Sequence, residues 1–243
     1  MIGRPPGDRH EDDSAGGWID AVAPQNRLRT PVLYPRDVTA QILEPRRRPT
    51  QERSQLKFDH LLQVSRELLL DVGFESFTCE EVAQRAGLPI GTLYQFFQNK
   101  YVIVCELDRQ NAVAVREELG RLTAALPTLD WLVLLNRLVD HMARLWMEDP
   151  SRRAVWMAMQ STPATRATAA VTERELASEV AYALGPLTPG TPRERRQIMA
   201  EVLVYVAYSM LNFSVRDGQE HTEAVIELKR LLSAYLLASQ PHT

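Results

Sequence analysis

Residues 78–100 read TCEEVAQRAGLPIGTLYQFFQNK, and the pattern in this stretch decides the fold that we predict. Thr78 is followed three residues later by Glu81, which is the spacing of a capping box and predicts the start of a helix. Gly87 ends that helix, and Pro89 suits the first turn of a second one because its missing N–H would have no partner there. Two short helices joined by a tight turn predict a helix-turn-helix unit, whose second helix lies in the major groove of DNA.

The second helix has two faces that differ in chemistry. Leu93 and Phe97 are four residues apart, so they share one face, which we predict to be buried. The other, exposed side is predicted to carry Ile90, Gly91, Thr92, Tyr94, Gln95 and Phe96. Threonine and tyrosine hydroxyls bind phosphate, glutamine pairs with adenine, and an exposed Ile90 or Phe96 would contact thymine methyl groups. Gly91 would allow the backbone to approach DNA closely.

The residues after this helix add a basic side chain. Asn99 is predicted to cap the next helix, which places Lys100 at its start. A lysine there opposes the preference of a helix N-terminus for acidic side chains, so we predict that Lys100 binds phosphate. An ordinary pair of core helices is the alternative interpretation. It explains the buried face of the second helix but not the exposed aromatic residues beside Lys100.

These motifs resemble those of a known family. Residues 56–104 resemble the DNA-binding domain of TetR-family transcriptional regulators. That domain has a first helix ending in glycine and an aromatic residue, a threonine cap, an Ala-Gly turn and the pattern G-T-L-Y-x-x-F-x-x-K. The matching positions are Asp71-Val72-Gly73-Phe74, Thr78, Ala86-Gly87 and Gly91 to Lys100. Two positions depart from the pattern, because Pro89 stands where serine is frequent and Phe96 where histidine or tyrosine is frequent.

The resemblance implies roles for individual residues and for the whole chain. By position, phosphate contacts fall to Thr78, Thr92, Tyr94 and Lys100. Contacts with base edges fall to Ile90, Gly91 and Gln95, with Tyr94 as a further candidate. The resemblance also implies a C-terminal helical domain that binds a small effector and pairs with a second subunit.

Composition limits the classes of protein that remain. The chain has 243 residues and a net charge of -3, so it is long enough for one or two domains, and any basic DNA-binding surface must be local. No apolar run is long enough to span a bilayer and no apolar N-terminal signal is present, which predicts a cytoplasmic protein. Cys79 and Cys105 have no histidine cluster nearby, so we predict free, buried thiols.

An enzyme and a regulator without a ligand are the rival interpretations. The sequence contains no P-loop, nucleophile elbow, dinucleotide fingerprint or metal-ligand set, so we predict no catalytic activity, no cofactor and no metal. The histidines are not spaced for metal binding with cysteine or carboxylate; they are His10, His60, His141, His221 and His242. A DNA-binding regulator that is constitutive or answers to a protein partner stays open as the second alternative.

The sequence divides into three regions. Residues 1–50 are rich in proline and carry an acidic cluster, which predicts a mostly disordered extension with a basic end. Within it, short apolar pieces such as Ile42-Leu43 could dock on the body of the protein. Residues 51–100 are predicted to form the helix-turn-helix domain, and residues 101–243 a helical domain for effector binding and dimerisation.

The extension ends in a basic cluster. Arg46, Arg47 and Arg48 lead directly into the first helix of the DNA-binding domain. A solvated run of charges is one interpretation of such a cluster. The other is an arm that reaches phosphates or the adjacent minor groove, as homeodomain arms do. We include the three arginines among the predicted DNA contacts.

Helical periodicity continues to the end of the chain and predicts an all-α protein. The first helix is expected over residues 54–72 with Gly73 as its cap, and the fourth over about 100–122. Later helices are expected over about 129–148, 151–160, 164–184, from the proline-rich loop to 215, and 219–238.

Large aromatic and sulfur-containing side chains concentrate in the middle helices. Such side chains, with an occasional polar group, are typical of small-molecule pockets, although for any one of these residues core packing is the better explanation. The predicted pocket residues are Trp131, His141, Trp146, Trp156, Met159, Tyr182, Tyr208 and Asn212. The identity of the effector does not follow from them.

The last two helices carry apolar stripes that suit either a core or a partner. In the resembling family these helices pair with those of a second subunit, so we predict a homodimer interface. Its residues are Val202, Val206, Met210, Phe213, Val225, Leu228, Leu232 and Tyr235. Together these features predict a repressor that leaves a palindromic operator when a small molecule binds.

Overall fold

The computed structural model describes residues 42–124, 130–215 and 222–239, and these residues form α-helices with no strand among them. The helices are α1 (Glu52–Ser76), α2 (Cys79–Arg85), α3 (Ile90–Phe96), α4 (Lys100–Ala124), α5 (Trp131–Glu148), α6 (Pro150–Met159), α7 (Pro163–Ala183), α8 (Arg193–Ser214) and α9 (Thr222–Ala238). A short 3-10 helix follows α7 at Gly185–Leu187. The predicted all-α class is confirmed. Within these ranges no helix is long and apolar enough to cross a membrane.

Helix α2 begins where the sequence predicts it. The Thr78 hydroxyl oxygen accepts a hydrogen bond from the Glu81 amide at 3.2 Å, which caps the helix. The Glu81 carboxylate does not reach back to Thr78. It accepts a hydrogen bond from Arg85 at 3.3 Å, and Arg85 also pairs with Asp71 of α1. The start of α2 is therefore held by half of the predicted capping box.

The turn between α2 and α3 is a Schellman motif. Gly87 has a φ of 63°, which L-residues with side chains adopt rarely. Its amide donates to the Gln84 carbonyl at 3.1 Å, and the Leu88 amide donates to the Ala83 carbonyl at 3.0 Å. The chain then enters α3 at Pro89, which precedes the first helical residue and offers no side-chain cap. The tight turn fixes the direction of α3.

The buried residues form two hydrophobic cores that share α4. In the first core, Phe58 of α1 stacks on Phe97 at 4.9 Å between ring centroids. The first half of α4 and part of α6 belong to this core, through residues such as Leu107 and Val155. The second core contains the later half of α4, including Val115, together with α5, α7, α8 and α9. A domain boundary at residue 100, as predicted, would cut through the first core.

The break that ends the first helix is located at Gly73, as predicted. Gly73 has φ 70° and ψ 169°, so the regular helix stops there, although the helical range runs on to Ser76. Val72 and Phe74 on either side pack against the first core.

Residues 42–50 lie on the body of the protein, and we call them the N-terminal strap. Leu43 is buried; its amide donates to the Thr168 hydroxyl at 3.1 Å, and its carbonyl accepts from Arg109 at 2.7 Å. Arg48 forms an ion pair of 2.8 Å with the buried Glu106. The strap thus differs from the predicted disorder up to residue 50, because its backbone and apolar groups find partners on α4 and α7. Residues 1–41 lie outside the described residues.

Candidate nucleic-acid interface

Helix α3 presents an outward face made by four of the predicted residues. Ile90, Gly91, Tyr94 and Gln95 are exposed, while Thr92 is half-buried. On the opposite side Leu93 is fully buried, and Phe97, which caps the helix, is buried with it. The buried face is confirmed, and the exposed residues lie on the opposite side of the helix.

Phe96 is placed on the wrong side by the sequence prediction. Its side chain is 1% exposed, because it shares the buried face of α3 with Leu93, three residues earlier. The ring meets Phe58 edge-on at 5.4 Å, and the Arg47 guanidinium covers it at 5.7 Å from the centroid. Phe96 is therefore not available for a thymine methyl group.

Tyr94 is exposed but already has a partner. Its hydroxyl donates to the Glu80 carboxylate on α2 at 3.1 Å, and this hydrogen bond raises the pKa of Tyr94. A carboxylate and a phosphate repel each other, so a phosphate contact requires Tyr94 to leave Glu80. Thr78 is exposed as well, and its hydroxyl oxygen serves as the cap of α2.

Lys100 holds the end of the first helix. Its ammonium group donates to the Phe74 carbonyl at 3.0 Å and lies 4.5 Å from the centroid of the Phe74 ring. Asn99 caps α4 as predicted, since its side-chain oxygen accepts from the Val102 amide at 3.1 Å. Through these contacts with Phe74, Lys100 joins α1 to α4. Its contact with phosphate stays a prediction.

The three arginines of the strap have different environments. The Arg46 amide donates to the Phe96 carbonyl at 2.8 Å, which places this arginine at the C-terminal end of α3. Arg47 lies over the Phe96 ring. Arg48 is bound to Glu106, and this hydrogen bond raises the pKa of Arg48. Arg46 and Arg47 therefore lie beside the C-terminal end of α3, whereas Arg48 serves the attachment of the strap.

A narrow apolar cavity lies inside the second core. Its volume is about 70 Å³, and its walls come from α4, α5, α7, α8 and α9. They include Val115, Leu119, Trp131, Met142, Leu176, Val180, Val204 and Leu232. Among the eight predicted pocket residues, Trp131 lines this cavity. A chamber of this size would have to widen for a ligand of ordinary size, since ligand sites are typically about 300–1,000 Å³.

The other predicted pocket residues are distributed over the molecule. Met159 is buried in the first core, and Tyr182 is 86% exposed, so neither lines the cavity. His141, Trp156 and Asn212 are half-buried. Trp146 and Tyr208 meet edge to face, with 5.4 Å between their ring centroids. The aromatic content of a helix does not reveal which of its faces turns inward, and this is why the prediction is incomplete.

Two acidic residues near Tyr208 escaped the sequence analysis. Burial raises the pKa of Asp108 to about 7, and the charge of Glu173 adds to the rise. Burial likewise raises the pKa of Glu173. The sequence does contain a sign of Asp108. It lies seven residues before Val115 on α4, so both share one helix face, and Val115 lines the cavity. An acidic residue on this apolar face was the signal.

The predicted dimer residues divide into an inner and an outer group. Val225, Leu228 and Leu232 are buried in the second core of the same chain and do not face a partner. Val206, Met210 and Tyr235 are half-buried. Val202 and Phe213 are exposed on α8. Further exposed apolar residues on α8 and α9, which the prediction missed, are Ile198, Tyr205, Ile226, Leu231 and Leu237.

The two cysteines are free, as predicted. Both Cys79 and Cys105 are buried, and burial raises their pKa to about 11 and about 12, so both stay protonated thiols near neutral pH. In the described part of the chain, no group of three or more histidine, cysteine or acidic side chains is arranged to hold a metal ion.

A helix-turn-helix domain joined through a shared helix to a second helical domain is the architecture of a DNA-binding transcriptional regulator. Two family models match the chain. The model for bacterial regulatory proteins of the tetR family matches residues 61–107, and the model for a tetracyclin repressor-like C-terminal domain matches residues 129–240. The chain belongs to the TetR family. No curated protein matches its sequence.

Several solved structures have the same fold at low sequence identity. A TetR-family regulator from Syntrophomonas wolfei is 11% identical, with a TM-score of 0.64 over 75% of this chain and 96% of that one. The Thermus thermophilus repressor FadR in complex with lauroyl-CoA is 19% identical, with a TM-score of 0.56 over 76% and 95%. The SmeT–triclosan complex is 19% identical, with a TM-score of 0.55 over 76% and 91%.

Proposed function

We propose that the protein is a repressor that binds a palindromic operator as a homodimer and leaves it when a small effector binds. The outward face of α3, with Ile90, Gly91, Tyr94 and Gln95 exposed together, is the observation that carries the proposal. Gln95 suits an adenine, and Ile90 suits a thymine methyl group. Arg46 and Arg47 of the strap, beside the C-terminal end of α3, would add phosphate contacts.

The exposed apolar residues of α8 and α9 support the homodimer. Val202, Tyr205 and Leu231 are between 40% and 53% exposed, and they lie on the last two helices of the chain. Side chains of this size are rarely left exposed as a group unless they form an interface. A two-fold dimer would present two α3 helices about 34 Å apart, which matches one turn of DNA.

Helix α4 supports control by an effector, because it belongs to both cores. Leu107 of α4 is fully buried in the first core, and Val115 lines the cavity in the second. A ligand that widens the cavity would therefore move the helix on which the helix-turn-helix unit packs. It releases the operator only if it binds the released state more tightly than the bound state. The complexes of related structures with lauroyl-CoA and triclosan agree with such a site.

The test is selection of DNA by the purified protein. Sheared genomic DNA is incubated with the protein at a stated salt concentration, because phosphate contacts make affinity depend on salt. The retained fragments are then sequenced. The proposal expects a few sites that share a palindrome. Gln95→Ala should relax the preference at one base position in each half-site, whereas Gln63→Ala, on the exposed surface of α1, serves as the control. Fragments without a shared motif would contradict the proposal.

A regulator without a small ligand is the second candidate, and the small volume of the cavity favours it. A chamber of about 70 Å³ does not hold a drug-sized molecule in its present shape. Under this alternative a protein partner or the abundance of the protein itself controls DNA binding. A compound that raises the melting temperature and also weakens operator binding would exclude it, because such a ligand binds the folded state.

A further inference from the structure

A second space, separate from the apolar cavity, lies beside the second core. Its volume is about 820 Å³, which is within the usual range of small-molecule sites, about 300–1,000 Å³. The walls come from the end of α4, the end of α7, the 3-10 helix and the beginning of α8. It shares one lining residue, Ala183, with the apolar cavity. We call it the arginine groove, and its polar and aromatic side chains are Thr123, Ser178, Tyr182, Arg193, Arg196 and Gln197.

Two arginines make the groove positively charged. Among the described residues that line it, Arg193 and Arg196 are basic and none is acidic. Neither arginine forms an ion pair with a described residue. Glu179 and Glu194, which are close in sequence to groove residues, are exposed and do not line the groove. An anionic ligand would therefore be attracted to this space.

The Arg196 guanidinium is held against the wall by its neighbours. Its Nη2 donates to the Thr191 carbonyl at 3.2 Å. Its Nη1 lies 2.8 Å from the position that a Cβ atom would take at Gly185, so the guanidinium occupies the room that this glycine leaves. Gly185 itself lines the groove. A guanidinium fixed in this way presents planar N–H donors that match the oxygens of a phosphate or a carboxylate.

Tyr182 adds an aromatic ring to the groove. It is 86% exposed, more than any other large apolar or aromatic residue in the described part of the chain, so its ring is free to stack on a ligand. Thr123 adds a hydroxyl group to the wall. The Gln197 amide nitrogen donates to Glu201 at 3.1 Å, which leaves the amide oxygen of Gln197 for a ligand.

The groove does not coincide with the proposed dimer face of α8. Ile198 and Val202 are exposed and four residues apart, so they share that face. Arg193 and Arg196 precede Ile198 by five and two residues, which places them roughly 140–160° around the helix from it. A partner subunit on the exposed apolar face would therefore leave the groove open.

We propose that the arginine groove binds a small organic anion that carries a planar ring. Arg193 and Arg196 would hold the phosphate or carboxylate group, and Tyr182 would stack on the ring. The inference goes beyond the proposed function, because it requires neither an operator nor a ligand in the apolar cavity. Its test therefore contains no DNA, and its failure would leave the proposed function intact.

Three related probes separate the contribution of the charge from that of the ring. Adenosine monophosphate carries both, adenosine carries the ring alone, and ribose 5-phosphate carries the phosphate alone. Binding to the purified full chain is measured by titration calorimetry at one ionic strength and a pH of about 7.5, where the phosphate has nearly two charges. Adenosine monophosphate is expected to bind more tightly than about 1 mM, and at least roughly 10-fold more tightly than the other two.

A second pair of probes distinguishes the two kinds of anion. The carboxylate 2-naphthoate is compared with its neutral amide under the same conditions. It is expected to bind at least roughly 10-fold more tightly than the amide. Tighter binding of 2-naphthoate than of adenosine monophosphate would identify a carboxylate as the preferred anion, and the reverse order would identify a phosphate.

Substitutions in the groove show whether its side chains are responsible. Arg193→Gln and Arg196→Gln should each weaken binding of the preferred anion by roughly 10-fold and leave its neutral counterpart unchanged. Tyr182→Leu should weaken both ring-bearing anions and leave ribose 5-phosphate unchanged, and the exposure of this residue makes a folding defect unexpected. Arg195→Gln is the matched control, because Arg195 is exposed on α8 and does not line the groove.

Gly185→Ala tests the position of the Arg196 guanidinium. The backbone of Gly185 lies outside the left-handed region and the close atom is the end of a flexible side chain, so the variant is expected to fold. The added methyl group displaces the guanidinium and should weaken binding of the preferred anion several-fold. In an Arg196→Gln background the same substitution should add little, because its effect passes through the arginine.

Three results would overturn the proposal. The first is binding of both adenosine monophosphate and 2-naphthoate weaker than about 1 mM. The second is equal binding of each anion and its neutral counterpart. The third is an Arg195→Gln variant that loses as much affinity as the two groove variants, which would mean that the general charge of α8 attracts the anion.

Discussion

Gly91 is a glycine that the fold does not need. It lies in the first turn of α3, on the outward face, and a Cβ atom at this position would meet nothing within 4 Å. The fold itself therefore does not require glycine there. A helical glycine is less stable than alanine, so the glycine has no structural explanation here, and the proposed DNA interface supplies one.

Gly91→Ala is expected to raise the free energy of unfolding by about 0.5 kcal/mol and to weaken operator binding by roughly 10-fold. The added methyl group restricts the unfolded chain, yet it separates α3 from DNA. Gly120→Ala is the matched control, because it is also helical, exposed and open around its Cβ position. The control should gain stability without losing DNA binding. Equal operator affinity in both variants would contradict a close approach at Gly91.

Asp108 predicts a dependence of stability on pH. The pKa of its carboxyl group rises from 3.8 in an unperturbed side chain to about 7 in the folded protein. The folded state then holds the proton more tightly than the unfolded chain, so the free energy of unfolding falls as the pH rises from about 4 to about 7. Glu173 acts in the same direction, and Arg109 opposes it.

The measurement is urea unfolding of the original chain and Asp108→Asn at pH values between about 5 and about 8, at one protein concentration. The variant should be the more stable of the two at the upper end, and the difference should shrink towards the lower end. Glu117→Gln controls for the change in net charge. A constant difference across this range would show that the Asp108 carboxyl does not titrate there.

Residue positions were predictable from the sequence where the contacts are local. Leu93 and the Thr78 cap follow from the helical repeat and from a hydrogen bond across three residues. Phe96 was misplaced although it lies three residues after Leu93 and shares its face, and the neighbours that cover it, Phe58 and Arg47, are distant along the chain. Asp108 was missed because its burial depends on helices that come later in the sequence. Local sequence patterns do not predict contacts between residues that are far apart along the chain.

At the scale of elements, the N-terminal strap joins three helices around the first core. It contacts the end of α3 through Arg46, α4 through Arg48 and Arg109, and α7 through Leu43. Sequence composition predicted disorder here because proline and arginine dominate, and a single leucine gives little periodic signal. The helix boundaries were predicted closely, since caps and glycine breaks are local features.

Leu43→Ala is expected to lower the free energy of unfolding by about 2 kcal/mol, because it removes a buried side chain between α4 and α7. Ile42→Ala should change it by less than about 0.5 kcal/mol, since the neighbouring Ile42 is 40% exposed. Chemical denaturation of both variants at a fixed concentration provides the comparison. Similar effects of the two substitutions would show that the strap is not anchored by Leu43.

At the scale of the whole molecule, assembly into a dimer decides whether two α3 helices can act together. Val202→Arg is expected to abolish the proposed dimer, because it places an unpaired charge in the proposed interface. Val133→Arg on α5 is the matched control, as both valines are 40% exposed. Sedimentation of both variants checks the prediction. A dimer that survives Val202→Arg but not Val133→Arg would place the interface elsewhere.

Because α4 belongs to both cores, only certain segments of this protein can be exchanged with those of its relatives in a chimaera. A fragment of residues 51–100 would lose Leu107 of α4 and Val155 of α6, which complete the core beneath the helix-turn-helix unit. It would also lack both residues of the ion pair between Arg48 and Glu106, which attaches the strap. A chimaera that exchanges only the DNA-reading helices would therefore join mismatched surfaces. An exchange that respects the packing has to carry the strap, α1–α3, the first half of α4 and α6 as one piece, although these segments are not contiguous in the chain.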